Sequence, residues 1–174
     1  MEQWIILLRG INVGGHHLVP MKELRTAMEA AGFSSVKTYI QSGNIVCRFA
    51  GRPEDILETL MERHFGFRPW VLVLSLAELR AVAEANPFRE GAGKTVHFFF
   101  LEGDPARMDR VLAQSLQAET EQFELRDNVF YLYAPEGIGR SRLAGRIGKV
   151  FPETRITARN RNTIEKLLDL ARDS

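Results

Sequence analysis

The stretch LLRGINVGGHHLVP, residues 7–20, places three glycines, two histidines and one arginine between an apolar run and a proline. At a passage from strand to helix, glycines allow backbone N–H groups and the helix N-terminus to face an anion. Glycine is also the usual residue where a tight connection needs unusual backbone angles. The motif GINVGG lacks the Lys-Ser/Thr pair of a phosphate-binding P-loop. Both interpretations, an anion site and a simple connection, therefore stay open.

Metal and nucleophile chemistry find less support in the sequence. His16 and His17 are adjacent, and adjacent side chains rarely coordinate one ion together, so we expect no metal site. Ser42 and Ser141 lack a G-x-S-x-G frame. The lone Cys47 lies in the middle of an apolar run, which is typical of a small buried side chain. The sequence leaves any cofactor unknown.

The second feature relevant to ligand binding is a basic stretch. Residues 137–161 hold seven basic side chains and one acidic side chain, a charge of +6 within a chain of net charge +1. Such an excess is typical of a surface for polyanions or phosphorylated ligands, whereas arginines solvated on a helix are the alternative explanation. Gly137 and Gly139 precede two arginines, and arginine donates bidentate hydrogen bonds to phosphate or carboxylate.

The elements that position the first loop follow from apolar periodicity and turn residues. The predicted strands cover residues 3–9, 35–40, 44–49 and 69–74, and the predicted helices cover residues 20–31 and 53–65. Their order is βαββαβ. Ser75 and Glu78 then form a capping box that opens a short helix over residues 75–85.

The second half repeats this order after a Gly-Ala-Gly linker. The predicted strands cover residues 95–101, 121–126, 129–133 and 154–158, and the predicted helices cover residues 105–116 and 140–150. Asp104 is the expected cap of the first of these helices. A last helix over residues 163–171 has Asn162 and Glu165 at capping-box spacing.

Two successive βαββαβ units predict an α+β fold made of two ferredoxin-like, α-β plait repeats with a linker helix and a C-terminal helix. The predicted division is residues 1–74 for the first unit, residues 75–93 for the linker, and residues 94–174 for the second unit with the last helix. Residues 4–8 and 96–101 are apolar almost throughout, which is typical of strands covered on both faces.

This topology gathers polar residues at two sheet edges. The first two strands of the first unit are parallel, so the loops that follow them meet, and the last two strands of the second unit converge in the same way. The candidate ligand-binding residues at the first edge are Arg9, Asn12, Gly14, Gly15, Gln41, Ser42 and Asn44. Those at the second edge are Arg140, Ser141, Arg159 and Asn160, with Arg142 and Asn162 beside them.

Four stretches together resemble a known family: LLRGINVGG, TYIQSGNI, ANPF, and GIGRSRL followed by TARNRNT. The chain resembles the bacterial family of unknown function DUF1697 over essentially its whole length. The resemblance implies a duplicated ferredoxin-like fold and no particular activity. The polar motif positions that it implies are Arg9, Asn12, Gly14, Gly15, Gln41, Ser42, Gly43, Asn44, Asn86, Pro87, Arg140, Ser141, Arg159, Asn160, Asn162 and Thr163.

One departure from that family concerns the last motif. The family commonly has a tryptophan between the two asparagines, where this chain has Arg161. If the ring stacks on a ligand, this chain binds differently, although arginine also stacks on a base.

Composition limits the class of protein. A chain of 174 residues with 45% hydrophobic and 26% charged residues is typical of one large or two small globular domains. One cysteine excludes an internal disulfide framework and fits a reducing compartment. The N-terminus lacks the pattern of a signal peptide, and no run reaches the ~20 apolar residues of a membrane span. We expect a cytoplasmic protein without a membrane partner, and the oligomeric state stays open.

The leading functional hypothesis is a protein that binds a small anionic or nucleotide-like ligand in a cleft between the two halves. An enzyme of unknown reaction is an alternative, for which His16 and His17 are the nearby titratable side chains. A nucleic-acid-binding module that uses residues 137–161 is a less favoured alternative. In the last alternative, the motifs are purely structural and fasten the halves together.

Overall fold

The computed structural model describes all residues, 1–174, and shows an α+β fold with two four-stranded sheets and seven helices. The α+β prediction is confirmed. The strands are β1 (Glu2–Leu8), β2 (Ser34–Tyr39), β3 (Asn44–Phe49), β4 (Val71–Ser75), β5 (Val96–Glu102), β6 (Gln122–Arg126), β7 (Val129–Tyr133) and β8 (Arg155–Asn160). The helices are α1 (Met21–Ala30), α2 (Glu54–Phe65), α3 (Leu76–Glu84), α4 (Arg110–Leu116), α5 (Arg142–Gly145), α6 (Ile147–Val150) and α7 (Arg161–Arg172).

The chain divides into two compact units. Unit 1 comprises Met1–Ala81 together with Glu165–Ser174, and unit 2 comprises Val82–Ile164. The sequence-based division places the C-terminal helix with the second half. In the structure, the last ten residues belong to unit 1, because they are hydrogen-bonded to its sheet.

The sheet of unit 1 has the strand order β2-β3-β1-β4, and every neighbouring pair is antiparallel. Alternation along β1 directs Trp4, Ile6 and Leu8 into one core. The buried apolar residues of α1 and α2 complete this core, since both helices present apolar side chains at helical spacing. One face of the sheet is therefore packed against two helices, as the apolar pattern predicts.

The other face of this sheet carries Gln3, Lys37 and Arg48, which hold the end of α7. Gln3 Nε2 donates to the Ala171 carbonyl at 2.8 Å, and Lys37 Nζ donates to the Asp173 carbonyl at 2.9 Å. Arg48 Nη2 donates to the Ser174 carbonyl at 3.1 Å. The last carbonyls of a helix have no partner within the helix. These side chains supply partners for the C-terminal end of α7.

The sheet of unit 2 has the strand order β6-β7-β5-β8, again antiparallel between all neighbours. Strand β5, with the sequence VHFFFLE, is buried on both faces from Val96 to Leu101. Phe99 packs with Phe130 in the core beneath α4, α5 and α6, and Phe98 contacts Tyr131 edge-to-face at 5.0 Å between ring centroids. The prediction of a strand covered on both faces is confirmed for β5.

Two predicted helices of unit 2 differ from the structure. The helix expected over residues 105–116 is a 3-10 turn capped by Asp104, followed by α4, which Asp109 caps by accepting from the Leu112 N–H at 2.9 Å. The helix expected over residues 140–150 is interrupted into a 3-10 turn and the short helices α5 and α6. Gly145 and Gly148 explain the interruption, because glycine in a helix costs about 1 kcal/mol relative to alanine.

The start of α7 also differs from the sequence-based expectation. The Thr163 N–H donates to Asn160 Oδ1 at 3.0 Å, so Asn160 is the cap and Asn162 lies inside the helix. The predicted capping box at Ser75 is confirmed, because the Ser75 N–H donates to Glu78 Oε2 and the Glu78 N–H donates to Ser75 Oγ. None of the helices combines the length and the apolar character that a bilayer crossing requires.

Candidate functional site

The loop after β1 and the hairpin after β2 lie side by side in unit 1. Leu7 of β1 and Tyr39 of β2 both pair with Asn44 of β3. The Leu8 N–H donates to the Gly43 carbonyl at 2.8 Å. We call residues 9–20 and 40–43 together the loop platform. The meeting of these two loops, which the topology predicts, is present in the structure.

Asn12 holds the two parts of the loop platform together. Its Nδ2 donates to the carbonyls of Gln41 at 2.7 Å and Val19 at 3.0 Å, and its Oδ1 accepts from the Val19 N–H at 2.7 Å. Its backbone has φ +54°, a left-handed conformation that asparagine adopts more readily than most residues. The Asn12 amide is thus engaged in supporting the loops.

Gly14 and Gly15 form the turn of a small hairpin within the platform. Val13 and His16 pair in an antiparallel bridge, and the His16 N–H donates to the Val13 carbonyl at 3.0 Å. The two glycines have φ +58° and +75°, and positive φ at both central residues is the signature of a type I′ turn. The tight connection alone accounts for these glycines, and their exposed backbone remains accessible.

Gly43 and Asn44 fix the hairpin against the first strand. Gly43 has φ +83°, and a Cβ there would lie 2.7 Å from Leu8 Cβ. The buried Asn44 side chain donates to the Tyr39 carbonyl at 3.0 Å and to Ser42 Oγ at 2.8 Å. Ser42 and Asn44 are therefore engaged with the hairpin itself.

The remaining side chains of the platform are displayed to solvent. Three large apolar residues are unusually exposed: Val13 at 64%, Leu18 at 66% and Ile40 at 51%. Arg9, His16 and Gln41 are exposed beside them in the chain. These three apolar residues were not among the predicted site residues; the signal for Val13 and Leu18 was the presence of apolar side chains within a glycine-rich loop.

The two histidines of the loop have different environments. The His17 ring stacks on Phe67 with 4.1 Å between ring centroids, and its Nδ1 lies 3.2 Å from the Gly10 carbonyl. His16 follows the tight turn and is exposed. No group of three or more His, Cys, Asp or Glu side chains is arranged to hold a metal ion. Burial raises the pKa of the Cys47 thiol to about 12, which keeps it protonated and unreactive.

At the second edge, β7 and β8 end on either side of the start of β5, where Tyr133 pairs with Val96 and Asn160 pairs with His97. The candidate residues here have separate environments. Arg140 is exposed, whereas Ser141 is buried and caps α5 by accepting from the Ala144 N–H at 3.1 Å. Ser141 therefore serves a helix start.

Arg159 is the most buried arginine among the candidates, at 9% exposure. Its Nη1 donates to Thr157 Oγ1 at 2.9 Å and to the Ala158 carbonyl at 2.8 Å. Burial lowers the pKa of the guanidinium to about 10, because a charged group loses hydration in the interior. Asn160 caps α7, as described above, so both residues have roles inside unit 2.

Arg161 occupies the position where a tryptophan is common in the family that the chain resembles. Its Nη1 donates to the carbonyls of Phe88 at 3.3 Å and Arg89 at 3.1 Å, and its Nη2 donates to the Gly91 carbonyl at 2.5 Å. Asn86 Oδ1 accepts from the Phe88 N–H at 3.0 Å in the same loop. Arg161 therefore holds the loop over residues 86–93, a role that its spacing in the sequence did not reveal.

Most of the chain matches a known protein family. The sequence profile of a family described as "Protein of unknown function (DUF1697)" matches residues 1–131. The chain belongs to the DUF1697 family. The match covers the loop platform and the ANPF motif, whereas the motifs that contain Arg140 and Arg159 lie beyond it.

A solved structure is similar to nearly the whole chain. A conserved bacterial protein from Streptococcus pneumoniae has 29% sequence identity, and the alignment covers 97% of this chain and 98% of that chain with a TM-score of 0.73. No curated protein sequence matches this chain. Neither relationship assigns a biochemical role, so function must be argued from the site.

Proposed function

We propose that this DUF1697 protein binds a small anionic ligand with an apolar part, nucleotide-like in class, on the loop platform of unit 1. The charge of the platform supports this proposal. The platform contains Arg9, two histidines and no acidic residue, and Lys22 follows it in the chain. The exposed backbone of Gly14 and Gly15 adds N–H groups that can face an anion.

The observation that carries the proposal is the conformation of Ile40. Its φ is +50°, and a β-branched residue in the left-handed region is a genuine outlier. Such backbone strain costs on the order of 1–3 kcal/mol and is concentrated at functional sites. Because the Ile40 side chain is half exposed, burial does not compensate for this cost. Contact between the Ile40 side chain and a ligand would explain why this strained conformation is kept.

The other exposed apolar residues of the platform indicate that the ligand has an apolar part. Val13 and Leu18 are exposed on the loop platform, whose two parts the Asn12 side chain joins by hydrogen bonds. Preformed sites combine apolar contacts with a few polar groups that fix orientation. A ligand with one charged end and one apolar or planar part satisfies both the arginine and these side chains.

Thermal unfolding against a panel of nucleotides, sugar phosphates and carboxylates tests the proposal. A ligand at 100 times its Kd stabilises the native state by about 2.7 kcal/mol, a rise in Tm of about 5 °C or more. For sugar phosphates and carboxylates, which have no base, we expect Arg9→Ala to abolish this rise, and Arg110→Ala, an exposed arginine of unit 2, to retain it. A panel without any shift, or a shift that Arg9→Ala leaves unchanged, would contradict the proposal.

A basic surface of unit 2 favours a second candidate function, nucleic-acid binding. Residues 137–152 contain no acidic residue, and Arg140, Arg142, Arg146 and Lys149 are all exposed. Four phosphate contacts predict a roughly 100-fold loss of affinity between about 50 and about 200 mM salt. Oligonucleotide binding that is absent or insensitive to salt would exclude this function.

We also infer that the two units are copies of one ferredoxin-like design. The shared strand order supports this inference, since β2-β3-β1-β4 and β6-β7-β5-β8 follow the same pattern with antiparallel neighbours throughout. In each unit, a helix-containing connection separates the first and second strands. The two halves thus share one order of elements despite little residue identity.

A further inference from the structure

Unit 2 contains a cavity that the proposed function does not use. It has a volume of about 250 Å³ and lies among Phe88, Arg89, Glu90, Gly91, Gln122 and Tyr133. Ligand pockets for drug-sized molecules usually measure about 300–1,000 Å³. This cavity therefore has the size for a single ring system. Its loop contains the ANPF motif, for which the loop platform gives no explanation.

We propose that this cavity binds a neutral planar heteroaromatic ring of the nucleobase class. Two aromatic side chains supply the stacking surface. The rings of Phe88 and Tyr133 are near-parallel, with 6.2 Å between centroids and an interplanar angle of 26°. Aromatic side chains at the wall of a cavity stack on bases, since every base has a π-face.

Gly91 keeps the aromatic wall in place. A Cβ on this residue would lie 2.8 Å from Tyr133 Cε2 and 3.1 Å from a methyl group of Val96. The absence of a side chain thus allows the Tyr133 ring to lie directly against the loop. A larger residue would have to displace the Tyr133 ring, which lines the cavity.

The cavity is also held rigid before any ligand arrives. Arg161 donates hydrogen bonds to three carbonyls of one loop, those of Phe88, Arg89 and Gly91. In the same loop, Asn86 Oδ1 accepts from the Phe88 N–H and closes a local turn. Ordering a loop on binding opposes association, so a loop fixed in advance favours it. Arg161 is therefore a positioning residue for the cavity.

The polar groups of the wall favour a neutral ligand. Arg89 and Glu90 carry opposite charges, so the cavity has no net charge with which to attract a phosphate. Gln122 pairs with Tyr133 across β6 and β7. Its amide can both donate and accept, as the edge of a base requires. A ring with mixed donors and acceptors matches this wall better than an anion or a hydrocarbon.

Titration calorimetry with the full-length protein tests this assignment. The probes are the neutral nucleosides adenosine, guanosine, cytidine and uridine, with inorganic phosphate and a short single-stranded oligonucleotide in separate arms. We expect at least one nucleoside to bind with a stoichiometry of one, with little dependence on salt, and phosphate alone to give no heat. The oligonucleotide is an alternative source of the base. If it binds but no nucleoside does, and if Phe88→Leu and Tyr133→Leu abolish this binding, the cavity takes its base from a nucleic-acid strand.

Three variants address the cavity, and far-UV circular dichroism checks that each one is folded. Phe88→Leu and Tyr133→Leu remove the rings and keep apolar side chains, and we expect each to lower affinity by about fivefold or more. Gly91→Ala moves the Tyr133 ring and should weaken binding to a similar extent. Val111→Ala, on an exposed residue of α4, is the matched control and should leave affinity unchanged.

Two outcomes would overturn the assignment. One is a folded wild-type protein that binds neither nucleosides nor the oligonucleotide at millimolar concentration. The other is binding that survives in folded Phe88→Leu and Tyr133→Leu proteins. The proposal does not depend on the loop platform, because Arg9→Ala leaves this cavity intact, so the failure of either site is distinguishable from the failure of the other.

Discussion

Gly93 lies directly beneath the side chain of Asn162, and a Cβ on Gly93 would fall 1.8 Å from Asn162 Oδ1. No real Cβ approaches an oxygen so closely, so a side chain at position 93 must push the asparagine aside. Because this oxygen is the end of an exposed side chain that can turn away, we expect Gly93→Ala to destabilise unit 2 by at most about 1 kcal/mol, the order of an off-rotamer side chain. Urea unfolding followed by far-UV circular dichroism measures this loss.

A double-mutant cycle separates this clash from other effects of alanine at position 93. Asn162 is exposed, so Asn162→Ala alone should change stability by less than about 0.5 kcal/mol. In the Gly93→Ala background the same change should recover most of the lost stability, because it removes the clashing oxygen. If Asn162→Ala changes the free energy of unfolding equally in both backgrounds, the two residues are not coupled.

Replacement of Ile40 should separate stability from ligand binding. Asparagine adopts the left-handed conformation more readily than isoleucine, so Ile40→Asn should stabilise unit 1 by about 1 kcal/mol. The same variant should weaken the ligand effect on Tm, since it removes an apolar contact. Tryptophan fluorescence follows this unit selectively, because Trp4 and Trp70 both lie in it.

The matched control for Ile40 is Ile56, an exposed isoleucine within α2. Ile56→Asn should destabilise the protein by a few tenths of a kcal/mol, because asparagine is a poorer helix former. A loss of stability at both positions would indicate that Ile40 is held in its conformation by packing, and that its strain has no functional origin.

Stability should fall as the solution becomes acidic, through His97. Burial lowers the pKa of this imidazole below its ordinary value of 6.5, and a hydrogen bond to the backbone of Lys94 opposes the shift. The unfolded chain then binds the proton more readily than the folded protein, so stability decreases as the pH falls below about 6.5. Tm measured between about pH 7.5 and 5.5 should show this decrease.

Replacement of His97 tests the origin of the pH effect. His97→Phe should flatten this part of the Tm profile, since phenylalanine cannot take up a proton. His64→Gln, at an exposed histidine in the last turn of α2, should leave the profile close to that of the wild type. A profile that keeps its full slope in His97→Phe would assign the effect to another group.

Arg9 and Arg159 should respond differently to truncation. Arg159 is buried and donates to Thr157 and to a backbone carbonyl, so Arg159→Ala should cost about 2–4 kcal/mol through lost hydrogen bonds and a cavity. Arg9 is exposed, so Arg9→Ala should change stability by less than about 0.5 kcal/mol. Urea unfolding of both variants measures the contrast, and similar losses would contradict it.

Much of the fold could be predicted because local patterns and topology agree. Apolar runs and turn residues located all eight strands, and the reciprocal spacing of Ser75 and Glu78 located the start of α3. The meeting of the loop after β1 with the hairpin after β2 followed from strand order alone. These features depend on residues that are neighbours in sequence or in a simple sheet.

The start of α7 could not be predicted, because the local code is ambiguous there. Asn160 and Asn162 each stand three residues before a plausible third helical position, so both satisfy the capping pattern. Pairing of Asn160 with His97 extends β8 to that residue and places the helix start immediately after it. A contact between distant parts of the chain thus selects between two equivalent local signals.

The features on which the two proposed binding sites depend were also hidden in the sequence. The positive φ of Ile40 has no signature in the residue itself, since isoleucine normally avoids it. The hydrogen bonds from Arg161 to the loop over residues 86–93 join residues about 70 positions apart. The sequence indicated where polar residues converge but could not indicate which of them support the loops and which face solvent.

The attachment of α7 to Gln3, Lys37 and Arg48 has a consequence for synthesis of the protein. Unit 1 is interrupted in sequence by the whole of unit 2. At about 5–20 residues per second, its closing segment leaves the ribosome roughly 4–17 s after Ala81. During that interval one face of the first sheet lacks the helix end that its side chains bind. The core that this sheet forms with α1 and α2, by contrast, consists only of residues made before unit 2.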